Sequence, residues 1–365
     1  MKRLALTLLA ACALPAWGGG IDRSGQGLGA LFEPGRQIEL SFRQVVPEIR
    51  GEDRLGGATG DTGRDYSLPG ASVKFDAGER LSFALLFEQT YGADILYDEG
   101  SLLLGGTRVD VRAHSLAGLA RYRLDPNFSV HGGVRVQNAH ADVRLKGLAY
   151  GPLNGYHLHL GADTAVGTIA GLAWERPEIA LRIAATYHGP VEHRLNTREQ
   201  APLAPLNGQS TTMVRTPRAL NLDVQTGIAA GTLLFGQLRW VRWSEFRVDP
   251  LHFRTLTGEG LIDLEDTRTW TLGLAREFTP RWAGAVSLHY KARGNEFNSP
   301  LSPTNGRQGL TLAAIYREDR LRITTSLSYL KLGDARLETG TPDTQRATMQ
   351  GNSALVLGIT MGYGF

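Results

Sequence analysis

Residues 354–365 read Ala-Leu-Val-Leu-Gly-Ile-Thr-Met-Gly-Tyr-Gly-Phe, and this stretch decides the fold. Leu355, Leu357, Ile359, Met361, Tyr363 and Phe365 occupy alternate positions, with Ala354, Val356, Gly358, Thr360, Gly362 and Gly364 between them. Successive side chains of an extended chain point to opposite faces. One face is therefore continuously apolar and the other is small.

The same alternation recurs upstream. Leu81, Phe83, Leu85 and Phe87 alternate with Ser82, Ala84, Leu86 and Glu88, and Phe128, Val130, Gly132, Val134 and Val136 alternate with Ser129, His131, Gly133, Arg135 and Gln137. Trp282 to Tyr290 and Leu321 to Tyr329 repeat the pattern, with aromatics near the ends of the apolar face. A soluble β-sandwich also has one apolar face, but its strands average about 5–6 residues. These runs cover about 10–14, the length of a tilted strand crossing a bilayer.

Composition agrees. Forty-five of the 365 residues are Gly, and each Gly costs about 0.5–1 kcal/mol inside a regular element, which argues against a helix-rich enzyme. No run of about 20 apolar residues follows the N-terminus, so no mature transmembrane helix is expected. The formal charge of +3 falls to +1 when Lys2 and Arg3 are set aside, 37 basic residues against 36 acidic. Such a balance gives no case for a nucleic-acid partner.

Met1-Lys2-Arg3, the apolar run Leu4 to Leu14 and the small-residue site Ala16-Trp17-Gly18 read as a secretory signal peptide cleaved after Gly18. The single cysteine, Cys12, leaves with it, so no disulfide is expected. Leu9-Ala10-Ala11-Cys12 offers a competing lipoprotein cleavage site.

Turn chemistry gives the strand count. Tight turns are expected at 76–79, 125–127, 176–178, 229–231, 277–280 and 317–320, and longer polar connections near 47–66, 91–107, 148–161, 193–213, 250–262, 295–307 and 335–349. Six short and seven long links join about fourteen strands. Short periplasmic turns and long outer loops are the habit of outer-membrane barrels, and an even count puts both chain ends in the periplasm. The expected organisation is all-β: residues 1–18 a signal peptide, 19–36 an N-terminal hatch and 37–365 a transmembrane antiparallel β-barrel.

Catalytic signatures are weak. There is no G-x-S-x-G elbow, and Gly18-Gly19-Gly20 is no phosphate loop, since no strand precedes it and no GK[ST] follows. His157-Leu158-His159 places two imidazoles on one side of an extended segment without a clear third ligand. Neither an enzyme, a metal nor a cofactor is expected. Arg239-Trp240-Val241-Arg242-Trp243 reads as an outer membrane girdle whose arginines meet anionic lipid headgroups.

Several stretches resemble the FadL family of outer-membrane transporters for long-chain fatty acids and other hydrophobic compounds, TodX-type proteins included. They are Gly19-Gly20-Ile21-Asp22-Arg23-Ser24-Gly25-Gln26, Ala30-Leu31-Phe32-Glu33-Pro34-Gly35, Glu39-Leu40-Ser41-Phe42, Tyr91-Gly92-Ala93-Asp94 and Trp174 to Arg182. Order and spacing over the whole mature chain carry the likeness. The terminal Phe365 resembles the signal read by the barrel-assembly machinery.

The resemblance implies a fourteen-stranded barrel plugged by a hatch, with lateral release into the membrane at a kink in the third strand. Leu81–Thr90 is that strand here, and Gly92, beside Tyr91, is a candidate for the distortion, the other reading being an ordinary strand end. The hatch is short and lacks the family's Asn-Pro-Ala motif. Leu31 and Phe32 are candidates for apolar contact with cargo. Arg23 and Arg36 are candidates for its carboxylate, or partners of Asp22, Glu33 or Glu39. The expected partners are a hydrophobic small molecule (fatty acid or aromatic hydrocarbon) and outer-membrane lipid, and the protein is expected to be a monomer. A general diffusion porin for small polar solutes is the alternative.

Overall fold

The structure is a computed structural model and describes residues 21–340 and 343–365. The expected signal peptide lies outside the described residues, as do the first two residues of the expected hatch.

Fourteen antiparallel strands close into a barrel. They are β1 (Gln37–Glu48), β2 (Tyr66–Ala77), β3 (Leu81–Leu96), β4 (Arg108–Arg123), β5 (Phe128–Leu145), β6 (Tyr156–Arg176), β7 (Leu181–His188), β8 (Ala219–Ala229), β9 (Thr232–Val241), β10 (Thr267–Glu277), β11 (Trp282–Lys291), β12 (Arg307–Glu318), β13 (Leu321–Leu332) and β14 (Ser353–Gly364). Each pairs with the next, and β14 closes the ring on β1 from Gln37↔Gly364 to Glu48↔Ser353. Closure leaves no sheet edge in the lipid, where an unpaired backbone group costs several kcal/mol.

The period-two reading fixes which side faces lipid. On β14, Leu355, Leu357, Ile359, Met361 and Tyr363 are exposed, while Ala354 and Val356 are buried inward. Exposed Phe75, Tyr122, Phe128, Trp282 and Tyr363 form the girdle at the short-turn end, with ring pairs Phe75–Phe83, Phe128–Trp174 and Trp282–Tyr316. Inward polar residues bond to one another across strands. His289 reaches Thr271 at 3.1 Å and Thr311 at 2.9 Å, and Thr311 reaches Ser328 at 2.7 Å.

Two elements differ from the sequence reading. β3 runs to Leu96, six residues past the expected strand end. The polar stretch expected as an irregular loop at 193–213 is a hairpin, Glu192–Gln200 with Gly208–Arg215, that prolongs β7 and β8 outward. Its strand character is masked because exposed Glu192, Arg194, Asn196 and Arg198 alternate with buried His193, Leu195, Thr197 and Glu199. The hairpin keeps one register against β6, from Ile169↔His188 below to Leu160↔Thr197 above. Between these pairs the ladder lapses around Pro190, and the Asp163 carboxylate accepts the Arg194 N–H at 3.2 Å instead. Among the outer loops are helix α1 (Leu251–Thr257) and a small sheet of Gly51–Asp53, Thr344–Met349, Ala335–Thr339 and Phe297–Asn298.

Assigning Leu357 to mid-bilayer and Tyr363 to the interface has a measurable consequence. Leu357→Arg is expected to cost about 2–4 kcal/mol of folding free energy and Tyr363→Arg about 0–1. Guanidinium titration of folding into lipid vesicles measures both.

Candidate functional site

The site begins where β3 leaves the sheet. β3 pairs with β2 only from Ala77↔Leu81 to Gly70↔Glu88. Beyond that, Tyr66–Pro69 of β2 bonds to β1 alone, and Pro69 has no N–H to offer. On its other side β3 carries a bulge: Gln89 faces His114 and Tyr91 faces Ala113, so Thr90 is the extra residue. Contact with the β2 side resumes higher, where Arg64 N–H donates to the Asp94 carbonyl at 3.2 Å and Gly63 bridges Ile95. Between these limits the wall has a window.

The N-terminal segment seals the window from inside. Arg23 N–H donates to the Thr90 carbonyl at 2.9 Å, and Gly92 N–H donates to the Ile21 carbonyl at 2.8 Å. The Arg23 guanidinium lies 3.4 Å from the centre of the Tyr66 ring, across the opening. Its buried Nε has no hydrogen-bond partner among the described residues. Gly92 permits this approach, because a Cβ there would meet the Val111 carbonyl oxygen at 3.0 Å and Arg23 Nε at 3.2 Å.

A buried ion pair sets the depth of the segment. Arg239 Nε donates to Asp22 Oδ2 at 2.7 Å, with the side chains 0 % and 1 % exposed. Arg239 Nη1 donates to Asn221 Oδ1 at 2.8 Å, and Asn221 Nδ2 donates to the Gly25 carbonyl at 3.0 Å. Gln26 joins two walls, accepting from Arg135 Nη1 and donating to the Tyr91 hydroxyl, both at 2.8 Å. Lower down, Arg322 bridges Glu33 at 3.4 Å and Glu39 at 2.8 Å. Burial pushes the Glu33 carboxyl up, against the opposing pull of Arg322.

Above this seal are two cavities. An outer vestibule of about 1500 Å³ lies beneath the loops following β9, β11 and β13. An apolar chamber of about 90 Å³ is walled by Val109, Val111, Leu158, Leu160, Leu195 and Val214, with Ile21 and Tyr91 bounding it on the segment and on β3. Ile21, Trp243, Leu261, Ile262 and Leu301 line both cavities and so divide them. The Trp243 and Tyr91 rings meet edge to face at 5.6 Å. The chamber therefore abuts the bulged stretch of β3. Lys291, at the outer end of β11, lines the vestibule.

The residues singled out from sequence fall in different places. Tyr91, Gly92 and Arg23 converge on the window. Leu31 is fully buried against Ala84, Ala117, Leu119 and Ile169. Phe32 sits between the guanidiniums of Arg121 (4.6 Å) and Arg182 (4.7 Å), with His131 edge-on at 5.5 Å. Neither Leu31 nor Phe32 lines the chamber or the vestibule. Arg36 is exposed at the short-turn rim, where its carbonyl accepts the Phe365 N–H at 3.1 Å. Arg239, expected on the outer girdle, instead points into the lumen onto Asp22. Trp243 turns inward as well, because strand alternation ends at Val241 and a 3-10 turn follows. His157 and His159 flank Asp142, at 2.8 and 3.5 Å, on the outer surface. Asp22 is expected from sequence only as a partner of Arg23 or Arg36, Trp243 only as part of the outer girdle, and Ile21, Leu261, Lys291 and Leu301 are not singled out as site residues. Only Asp22, an acid in a segment expected to enter a polar lumen, carried a usable signal.

The barrel superposes on solved structures of low sequence identity. A Pseudomonas aeruginosa FadL homologue matches at TM-score 0.74 and 16 % identity, covering 96 % of each chain. The Ralstonia pickettii toluene transporter TbuX matches at 0.67 and 15 %, covering 98 % of each. The Pseudomonas putida toluene transporter TodX matches at 0.63 and 13 %, also covering 98 % of each. Among curated proteins, none matches the chain. The family described as outer membrane protein transport protein (OMPP1/FadL/TodX) matches residues 35–365, nearly the whole barrel. The chain thus belongs to the OmpP1/FadL/TodX family of outer-membrane transport proteins, whose members are transport channels and not enzymes.

Proposed function

We propose that this protein takes up long-chain fatty acids, holding the carboxylate in the vestibule and the tail in the apolar chamber, and releases them sideways at the β3 window. The contact between chamber and bulge carries this reading. An apolar cavity with few polar groups suits a hydrocarbon tail, and it ends on Tyr91 and Ala93, within the stretch of β3 that β2 does not cover. Residues 21–36 act as the hatch. Arg23 is the side chain to be displaced as cargo leaves, since a stacked guanidinium moves more readily than a backbone ladder.

For the head group the best-placed cation is Lys291. It lines the vestibule near the dividing residues, and no ion-pair partner for it occurs among the described residues. A carboxylate can pair with its ammonium while the tail passes Leu261 and Leu301. Lys291→Met is expected to weaken oleate binding about tenfold, the value of one charge-assisted contact, and to leave toluene binding unchanged. Binding of radiolabelled oleate and toluene to the purified protein tests this, and equal effects on the two would remove Lys291 from the role.

A second reading, an uncharged monoaromatic cargo, is favoured by the chamber itself. Its volume of about 90 Å³ lies nearer a benzene-sized cavity (about 150 Å³) than a full acyl chain requires, and His140 and His193 are its only basic lining residues. Tight toluene binding with no oleate binding would select it.

The exit is tested by locking the window. In Pro69→Cys/Gln89→Cys the cysteines occupy the next pair beyond Gly70↔Glu88. Oxidation should abolish uptake into cells and reduction should restore it. Uptake that is indifferent to oxidation would place the exit elsewhere.

The hatch is tested by conductance. The unaltered chain should pass little ion current in planar bilayers, and Asp22→Ala should pass more, because it strands Arg239 uncompensated, a loss of about 3–5 kcal/mol. Large steady currents from the unaltered chain would instead support the porin alternative.

A further inference from the structure

The outer ends of β11, β12 and β13 hold a further cavity, a rim pocket of about 210 Å³. Both rows of the wall contribute to it. Lys291 and Arg307 come from the inward row, where they face each other across the β11–β12 pair. Tyr290, Gln308 and Lys331 come from the outward row, in which Tyr290 faces Gln308 and Gln308 faces Lys331. Arg293, Asn305 and Gly333 complete the lining. Four cations therefore line the pocket, and no Asp or Glu does. Residues opposed as Lys291 and Arg307 are stand about 5 Å apart, and like charges so placed repel. Arg293 approaches Asp334 at 4.0 Å, and Lys331 reaches no carboxylate among the described residues. An anion is the group this lining lacks.

The pocket stands between two compartments. On the inner side, Lys291, Arg293 and Asn305 also line the vestibule, so the two cavities share a wall. On the outer side, the next outward residues toward the bilayer are Leu288, Leu310 and Tyr329, all exposed. They form one register row, Leu288 facing Leu310 and Leu310 facing Tyr329. Tyr329 and Trp270, the partner of Tyr290, are exposed aromatics of the outer girdle. The outward part of the pocket thus follows the apolar belt directly, with no polar row between. Its roof is tied down: Asn305 N–H donates to the Gly333 carbonyl and Gly333 N–H to the Gly306 carbonyl, both at 3.0 Å. These bonds hold the loop after β11 against the end of β13.

We infer that the rim pocket is an entry port for a single-chain carboxylate amphiphile lying in the outer leaflet. The port rests on the fatty-acid reading of the vestibule and adds the route by which that cargo arrives. The carboxylate enters among Arg293 and Lys331 while the tail lies on Leu288, Leu310 and Tyr329. Lys291, common to both cavities, then receives the carboxylate on the vestibule side. An ammonium and a guanidinium both donate charge-assisted hydrogen bonds to a carboxylate. The apolar row below supplies the second half of the recognition and selects an amphiphile over a free anion. A long chain gains free energy with every methylene it buries, so such a molecule gathers at a lipid surface and not in water. A port that faces the leaflet therefore meets more cargo than a mouth that faces water.

The test uses the full-length protein in lipid nanodiscs, with oleic acid carrying a diazirine in its tail dissolved in the bilayer. Illumination followed by peptide mass spectrometry reads where the tail lies. Label should concentrate around Leu288 and Leu310, about tenfold above the opposite lipid-facing wall at Val136 and Val166. The methyl ester of the same probe should show no such preference. In Arg293→Gln/Lys331→Gln the preference should be lost. Arg144→Gln/Arg198→Gln, which removes exposed cations of the opposite wall, should label as the unaltered chain does. Heat-shifted gel mobility verifies that each variant is a folded barrel. Oleate binding in detergent, where cargo arrives from water, should be unchanged in the rim variant. Even labelling around the barrel, equal labelling by acid and ester, or an undiminished preference in the rim variant would overturn the port and leave the fatty-acid reading standing. Failure of the unaltered protein to bind oleate in detergent would instead remove that reading, and the port with it.

Discussion

A strand in lipid has nowhere to leave a backbone N–H or carbonyl unpaired, and that constraint organises this molecule. Thirteen turns and loops serve one closed ladder, interrupted only beyond Gly70↔Glu88 and around Pro190 among the described residues. Where β3 parts from β2, the debt is met from inside, by hydrogen bonds from Arg23 to Thr90 and from Gly92 to Ile21. The N-terminal segment and the wall are therefore one hydrogen-bonded unit at the window. Moving the N-terminal segment strands two backbone groups of β3 unless cargo or water replaces them. The Asp22–Arg239 pair fixes how deep the segment sits, and its burial makes the arrangement close to all-or-none: either partner alone in the lumen is far less stable than both together.

A chain of hydrogen bonds carries that arrangement across the inner wall. Thr90, the bulged residue, bonds Ser115 at 3.0 Å, and Gln137 donates to Thr90 at 2.7 Å. Gln137 meets His193 at 3.2 Å, and His193 meets Asp163 at 3.0 Å. Asp163 in turn caps the second lapse of the ladder, between β6 and the prolonged β7. The two interruptions share one network, and His193 of that network lines the chamber. Buried networks of this kind are stable when every member is satisfied and fail together when one is lost. The wall around the chamber is thereby rigid in composition although it is open in pairing.

The barrel was legible because lipid outside and polar lumen inside impose period two on every strand, and Gly, Pro and Asp mark each short turn. The window was less legible. A bulge has no compositional signature, and Thr90 is a β-branched residue at home in any strand, so attention fell on Gly92, whose glycine serves the close approach of Arg23. The ion pair joins residues 217 positions apart, and nothing in Arg239-Trp240 says which face of β9 the arginine takes. Alternation gives faces only relative to a known neighbour, and the inward turn after Val241 ends it. The hairpin was hidden for the opposite reason. It alternates perfectly, but its outer residues are charged because they stand above the lipid, and a charged alternation resembles a loop.

The division between vestibule and chamber bears on how cargo moves. A cavity of about 90 Å³ cannot take up an extended chain while Leu261, Ile262 and Leu301 stay in place. These residues come from the loops after β9 and β11, not from strands, so the partition can yield without breaking the ladder. Admission of a hydrocarbon replaces contacts among those side chains with contacts to the tail, an exchange of apolar surface for apolar surface that costs little. A polar solute has no such exchange to offer: it would lose hydration against Val109, Leu158 and Leu195 and find few polar partners in the lining. Selection for hydrophobic cargo thus follows from the walls of the chamber before any specific head-group contact is made.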